Sequence, residues 1–456
     1  MFSPDKALET LRKYMLVDGF DVVIDFEKSH GNTIVDARNG RAYLDMFSMV
    51  ASQPLGINHP ALTDEPFLRR IGRVAINNPT NSDIYNAEVA EFVDTFMTLA
   101  APRSMKHLFL IAGGTLGVEN ALKVAIDWKV RKNFEKGCKE EKGHQILHFK
   151  ECFHGRSGYT LSLTNTDPAK TKYFPKFDWP RVVNPKAVFP LEGGNLREVE
   201  KLEGEALAQI KQALHDRKDD IAAIIIEPIQ GEGGDNHFRG EFLRALRQVC
   251  DESEVFFIVD EVQTGIGLTG RMWCYQHFGF EPDAISFGKK TQVCGCLVGP
   301  RVDEIEKNCF RESSRINSTW GGTTVDMMRA TQYLKVIDRE KLVERAVTLG
   351  DYAIARLRQM QKENPGTFTN VRGRGLLLAV DLVDPSTRPA ILGKAFELGM
   401  IVLPTGTKGI RLRPSLIVTQ AEIDQAVEIL AKAAHRDSPV VAGAGAISST
   451  TGKTSA

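Results

Sequence analysis

Val255-Phe256-Phe257-Ile258-Val259-Asp260-Glu261-Val262-Gln263-Thr264-Gly265 is the stretch on which the fold turns. Val, Phe and Ile run on without polar alternation, which marks a strand covered on both faces, as in a parallel sheet packed between helices. An acid then ends the run. A carboxylate at the edge of an apolar layer is costly unless something answers it. Asp260 therefore caps a helix, meets solvent or faces a cation.

Further apolar runs flank this one. His107–Ala112, Gln145–Phe149, Ile221–Ile226, Ala284–Phe287 and Val293–Val298 read as strands, with Val255–Asp260 among them. Helical patterns lie between several of them. Leu116–Arg131 carries Val118, Leu122, Ala125, Ile126 and Val130 at helical spacing, and Glu241–Asp251 is a second case. The alternation predicts an α/β domain with a mostly parallel sheet. After Trp320 the pattern changes to a long helical region (Val325–Lys362), a strand-like Val371–Leu382, a helix near Ala390–Leu398, short strands near Ile401 and Ile410, and a helix over Gln420–Ala434. That reads as a smaller α+β domain. The expected division is an N-terminal segment (1–60), a large domain (61–322), a small domain (323–436) and a disordered tail (437–456) rich in Gly, Ser, Thr and Ala.

With 456 residues the chain is long enough for more than one domain. Lys+Arg and Asp+Glu are both 58, so no basic excess points to nucleic acid or an anionic membrane. No run reaches the length of a membrane span, and the first residues lack a signal-peptide core. They read instead as a short helix capped by Ser3, with Pro4 in its first turn. The seven cysteines are dispersed without a CxxC pair, which suggests reduced thiols in a cytoplasmic protein. Cys294-Gly295-Cys296 lies in a small apolar run and reads as buried strand thiols; no metal site is expected.

Four further segments carry chemistry. Ile111-Ala112-Gly113-Gly114-Thr115-Leu116-Gly117 follows a strand and opens a helix, where backbone N–H groups and close approach suit a phosphate. By itself a glycine pair there is ordinary turn chemistry. Phe153-His154-Gly155-Arg156 offers an aromatic face for a flat ring and a guanidinium for a carboxylate, or else a surface loop. Glu227-Pro228-Ile229-Gln230-Gly231-Glu232-Gly233-Gly234 stands at the carboxyl end of a buried strand, where α/β sheets place ligands. Phe287-Gly288-Lys289-Lys290 ends another strand, and a desolvated lysine has the lowered pKa that imine chemistry needs. Two lysines on a solvated turn would be the plain alternative.

Taken together and in this order, the segments resemble the class III, fold-type I aminotransferases that depend on pyridoxal 5′-phosphate. The likeness runs from Leu44 to about Ala434 and rests on EPIQGEGGDNHFRGEF, DEVQTGIGLTG, SFGKKTQVCG and NSTWGG. It implies Lys289 as the lysine that binds the cofactor covalently and moves the substrate proton, with Lys290 as its adjacent rival. It implies Asp260 as partner of the pyridine nitrogen, Gln263 near the ring hydroxyl, Gly114 and Thr115 at the phosphate, Phe153 on the ring, and His154 with Gly155 completing that loop. Thr319 matches a threonine that reaches the phosphate from a second subunit, so a homodimer with shared active sites is implied. Two departures from the wider pattern stand out: the turn reads Gly113-Gly114-Thr115-Leu116-Gly117, and Trp320 replaces a more frequent Phe.

Within the family the likeness is strongest to enzymes acting on the terminal amine of L-lysine, with 2-oxoglutarate as acceptor. The implied substrate contacts are Arg156 for the distal carboxylate, Arg411 (or the nearby Arg413) for the carboxylate beside the reacting carbon, and Glu232 to neutralise that arginine when lysine binds. Rival expectations are an ω-aminotransferase for 4-aminobutyrate or ornithine, a mutase or racemase of the same fold, and a non-catalytic relative. The last would be expected to lack Lys289 or Asp260.

Overall fold

The computed structural model describes residues 2–435; the expected tail over 437–456 lies outside them. The described chain forms two compact units, one of Ala61–Val347 and one of residues 2–60 together with 348–435.

The larger unit is built on a seven-stranded sheet. Its strands are β1 (His107–Ile111), β2 (Gln145–Phe149), β3 (Arg181–Val182), β4 (Ile221–Ile226), β5 (Phe256–Asp260), β6 (Ala284–Phe287) and β7 (Cys294–Val298). Their order is β1-β7-β6-β5-β4-β2-β3. Neighbours from β6 to β3 are parallel, while β7 runs antiparallel to both β6 and β1. The predicted strands are present with ends shifted by at most a residue, because a run apolar on both faces leaves little choice of conformation. β4 and β5 are buried at every position.

Helices α1 (Gly114–Glu135), α2 (Gly158–Leu163), α3 (Gly193–Asp216), α4 (Gly240–Glu252) and α5 (Thr324–Arg339) belong to this unit. The α1 face Val118, Leu122, Ala125 and Trp128 packs on Ile146, Ala223, Phe256 and Ile258 of the sheet. The Trp128 and Phe256 rings meet edge to face at 5.4 Å. Gly117 explains one departure from the family pattern: a Cβ there would lie 2.8 Å from the Gly295 carbonyl oxygen. Absence of a side chain lets α1 lie close against β7. Cys294 and Cys296 are buried in β7, as strand thiols.

The long helical region expected over Val325–Lys362 is two helices, α5 and α6 (Leu342–Glu363). Lys341, with φ of +52°, takes a left-handed turn that no helix can continue through. The division between the units falls inside α6, after Val347, and not after residue 322, because α5 packs on the helix Ala87–Leu99 of the larger unit.

In the smaller unit, β8 (Phe368–Arg374), β9 (Leu377–Leu382), β10 (Leu403–Thr405) and β11 (Gly409–Leu412) form an antiparallel sheet in the order β8-β9-β11-β10. The strand-like Val371–Leu382 is thus a hairpin, turned at Gly375 with φ of +54°. Helices α7 (Arg388–Glu397) and α8 (Gln420–Ala434) complete it, the latter opened by a Thr419–Glu422 capping box. Thr33–Val35 pairs antiparallel with Ala42–Asp45, whose other neighbour is the parallel Met400–Ile401. At the N-terminus, Pro4–Lys6 is a 3-10 turn leading into Ala7–Arg12, and the Ser3 side chain makes no capping bond. The expected cap is corrected there: Pro4 fixes the turn without it. No helix among the described residues is long and apolar enough to cross a membrane.

Candidate active site

The carboxyl ends of the parallel strands converge on a cavity of about 300 Å³ within the larger unit. β5 delivers Asp260 and, two residues on, Val262. β6 is followed by Gly288 and by Lys289, whose backbone is left-handed at φ +45°. β1 leads into Gly114 and Thr115 at the start of α1. β2 leads to Phe153, His154, Gly155 and Arg156, and β4 to Glu227. All of these residues except Gly288, together with Val118 and Gln263, line the cavity.

The deepest charges form one network. His154 Nδ1 and Asp260 Oδ2 are 2.7 Å apart, with the imidazole fully buried and Asp260 only 5% exposed. An ionised carboxylate can only accept, so Nδ1 carries the proton. Burial opposes charge on His154, yet Cys152 and the hydrogen bond to Asp260 outweigh it, and its pKa stands well above the usual histidine value. The second Asp260 oxygen accepts from the Val262 amide at 3.1 Å. Glu227 closes the loops around this pair: its two oxygens accept from the amides of Phe153 (2.9 Å) and Gly231 (3.0 Å). Burial pushes its carboxyl up to about 7, against the opposing charge of His154.

A second cluster of bonds shapes the turn at α1. Thr115 Oγ1 lies 2.8 Å from Thr160 Oγ1 and accepts from the Arg156 amide at 3.0 Å. Gly155, at φ +133°, sits against it: a Cβ there would fall 1.7 Å from Thr115 Oγ1. Ser157 and Thr160 form the capping box of α2, which fixes the far end of this loop.

Of the two adjacent lysines, Lys289 lines the cavity, while Lys290 is buried elsewhere with its Nζ donating to the Gln263 carbonyl at 2.7 Å. Gly114, Thr115, Phe153, His154, Arg156, Asp260, Gln263 and Lys289 are therefore brought together. Glu232 is not among the lining residues; its Oε1 accepts from Lys170 Nζ at 2.7 Å. Thr319 is exposed on the loop before α5, also outside the lining. Arg411 lies in β11 of the smaller unit, opposite Ala379 and Leu403, and is buried. Arg413 donates through Nη1 to the carbonyls of Leu378 (3.0 Å) and Leu412 (2.9 Å), which occupies that nitrogen with backbone.

Val262, in the turn that follows β5, lines the cavity without having been singled out in the sequence, because strand alternation stops at Asp260. Glu227 had been grouped with Glu232 without a task of its own. The two part because Glu227 directly ends β4 and turns inward, whereas Glu232 is four residues into the following hairpin and 30% exposed.

Residues 15–434 match the family model for class-III aminotransferases. The chain belongs to the class-III aminotransferases. It is 49% identical to an L-lysine-epsilon aminotransferase of Mycobacterium tuberculosis over 93% of this chain and 94% of that one. It is 46% identical to the L-lysine-epsilon aminotransferase of Streptomyces clavuligerus, with 93% of each covered. The human mitochondrial 4-aminobutyrate aminotransferase is 30% identical, covering 90% of this chain. Among solved structures, a lysine aminotransferase from M. tuberculosis, described in its internal aldimine form, superposes with a TM-score of 0.93 at 48% identity, covering 95% of this chain and 99% of that one. These findings support the fold-type I architecture read from the sequence.

The cofactor of this class-III aminotransferase is pyridoxal 5′-phosphate, and the donor set fits that group. A lysine amine, a buried carboxylate backed by a protonated imidazole, an aromatic side chain and a glycine-opened helix N-terminus line one cavity. Each is of the chemical kind that would suit a different part of the molecule: aldehyde, ring nitrogen, ring face and phosphate.

Proposed function

We propose that this aminotransferase moves the terminal amino group of L-lysine to 2-oxoglutarate, yielding 2-aminoadipate 6-semialdehyde and L-glutamate. One observation carries the reading. A cavity lined by Lys289 and the Asp260–His154 pair lies in a chain that is 46–49% identical to L-lysine-epsilon aminotransferases, against 30% for the human mitochondrial 4-aminobutyrate aminotransferase.

When bound, the cofactor supplies an electron sink for the substrate carbon that loses its proton. Lys289, which lines the cavity, would hold the cofactor and would be the amine placed to take and return that proton. Asp260, hydrogen-bonded to His154 at 2.7 Å, would face the ring nitrogen and favour its protonated form. Phe153 would pack on the ring, Gln263 would donate to its hydroxyl oxygen, and Gly114 with Thr115 would hold the phosphate. Arg156 holds the carboxylate distal to the reacting carbon of either substrate. Arg411 binds the carboxylate that only 2-oxoglutarate carries next to that carbon, and Glu232 neutralises Arg411 when lysine is the substrate. These last two roles enter on the family resemblance.

The working form in this proposal is a cytoplasmic homodimer, with Thr319 of one copy completing the phosphate site of the other. The exposed position of Thr319 supports that role. The test is a panel of amine donors (L-lysine, L-ornithine, 4-aminobutyrate) with 2-oxoglutarate and identification of the aldehyde formed. Lysine should be preferred and give the 6-semialdehyde; preference for either other donor overturns the assignment.

A further inference from the structure

One ammonium near the cavity has no task in the reading so far. Lys170 ends the 3-10 turn Pro168–Lys170, which Asp167 caps by accepting from the Ala169 amide. Although lysine is ordinarily a solvated side chain, only 16% of this one is exposed. Its Nζ lies 2.7 Å from Glu232 Oε1 and 3.2 Å from Thr166 Oγ1. It also stands 5.3 Å from the centroid of the Phe153 ring, within cation–π range. Phe153 lines the cavity. Lys170 thus touches both the aromatic side chain proposed to pack on the cofactor and the acid proposed to change partners between the half-reactions.

We propose that Lys170 positions Glu232: it is the ammonium that holds this carboxylate aside while a dicarboxylate acceptor binds. The inference rests on the lysine aminotransferase reading, in which Glu232 neutralises an arginine for one substrate and must release it for the other. A partly buried carboxylate that leaves one cation resists the move unless a second receives it. Lys170 is that second cation. Its strength then sets the balance between the two positions of Glu232, and with it the affinity for acceptor relative to donor. Lys170 is a positioning residue and touches neither reacting atom.

The experiment uses the holoenzyme and follows the two half-reactions separately by visible absorbance, for wild type, Lys170→Met and Lys170→Arg. Removing the charge should raise KM for 2-oxoglutarate about five-fold, the size expected of a partly exposed ion pair. The lysine half-reaction should lose much less, and Lys170→Arg, which keeps the charge, should restore the acceptor KM. In a Glu232→Gln background, Lys170→Met should add nothing to the acceptor KM, because the partner it acts through is gone. An equal loss in both half-reactions would mark Lys170 as structural and overturn the proposal. So would an unchanged acceptor KM in an enzyme that does transaminate lysine. A wild-type enzyme that fails to transaminate lysine with 2-oxoglutarate overturns the underlying reading, and this proposal with it. Lys170→Gln, which retains a donor for Thr166, is the second variant should Lys170→Met fail to fold, with the same two outcomes.

Discussion

Gly155→Ala isolates the backbone geometry of the site without touching a charge. The new Cβ would stand 1.7 Å from Thr115 Oγ1 and 2.7 Å from both Thr115 Cβ and Thr160 Oγ1, on a backbone with φ of +133°. Holding a non-glycine residue at such an angle costs about 1–3 kcal/mol. Relieving the overlap by shifting the tightly bonded Thr115 costs about another 1–3 kcal/mol. The total, about 2–6 kcal/mol, must appear in one of two places. Urea unfolding of the apoenzyme reads the share borne by the fold. Titration with pyridoxal 5′-phosphate, followed by its visible absorbance, reads the share borne by the phosphate turn. In Gly155→Ala/Thr115→Ala the closest overlap disappears while the backbone strain stays, so about half of the loss should return. If Gly155→Ala lay within about 0.5 kcal/mol of wild type by both measures, the turn would have room that the geometry denies it, and the account of Gly155 would be wrong.

Further outcomes follow from the same geometry. Lys289→Ala should abolish transamination, while Lys290→Met should keep a reducible cofactor adduct on Lys289 and lose only stability; mass spectrometry of the borohydride-reduced protein decides, and an adduct on Lys290 refutes the assignment. Asp260→Asn should retain the cofactor but slow turnover by about a hundred-fold or more, and a near-normal rate would make Asp260 merely structural. Arg411→Ala should slow the 2-oxoglutarate half-reaction far more than the lysine one, whereas Glu232→Ala should favour glutamate as donor; single-turnover absorbance separates the two, and equal slowing by Arg411→Ala would count against the switch. Burial pushes the Glu261 carboxyl up from 4.5 to about 7, even though the Thr264 hydroxyl and the Tyr275 amide donate to it. The folded state therefore binds that proton more tightly than the unfolded chain, and the stabilisation, full below about pH 4.5, is lost as pH rises through 7. Glu261→Gln should remove on the order of 3 kcal/mol of this fall, seen as a flatter urea midpoint between pH 5 and pH 8; an unaltered slope would show that Glu261 does not titrate in that window.

What could be read from the chain follows its local physics. Ile221–Ile226 and Phe256–Asp260 declare themselves because a strand buried on both faces needs unbroken apolar residues, and the chemistry stands where those runs stop. Arg181–Val182 is invisible by the same logic: two residues at the sheet edge carry no period. The break at Lys341 is equally silent, since a lone lysine in a left-handed turn resembles any other surface lysine. Within the site, Asp260 advertised a need for a cation, but its protein partner, His154, lies 106 residues earlier and meets it only because β2 and β5 flank β4. Lys170 and Glu232 are 62 residues apart and likewise share no local signal. Residue types and their order were legible; which charge answers which required the strand order.

The smaller unit draws on both flanks of the larger one, and this orders events on the ribosome. Ala42–Asp45 has Met400–Ile401 as its parallel neighbour, so the early segment is translated long before the strand that completes its sheet. Ala61–Val347 needs nothing from either flank to assemble its seven strands. Domains fold as units as the nascent chain emerges. The cavity-bearing unit is therefore free to form first, while residues 2–60 wait with apolar side chains such as Ile34, Tyr43 and Leu44, buried in the finished protein, still uncovered. The interval of greatest exposure to chaperones and to misassociation belongs to this leading segment, and it lasts at least until Phe396 and Met400–Ile401 have been made.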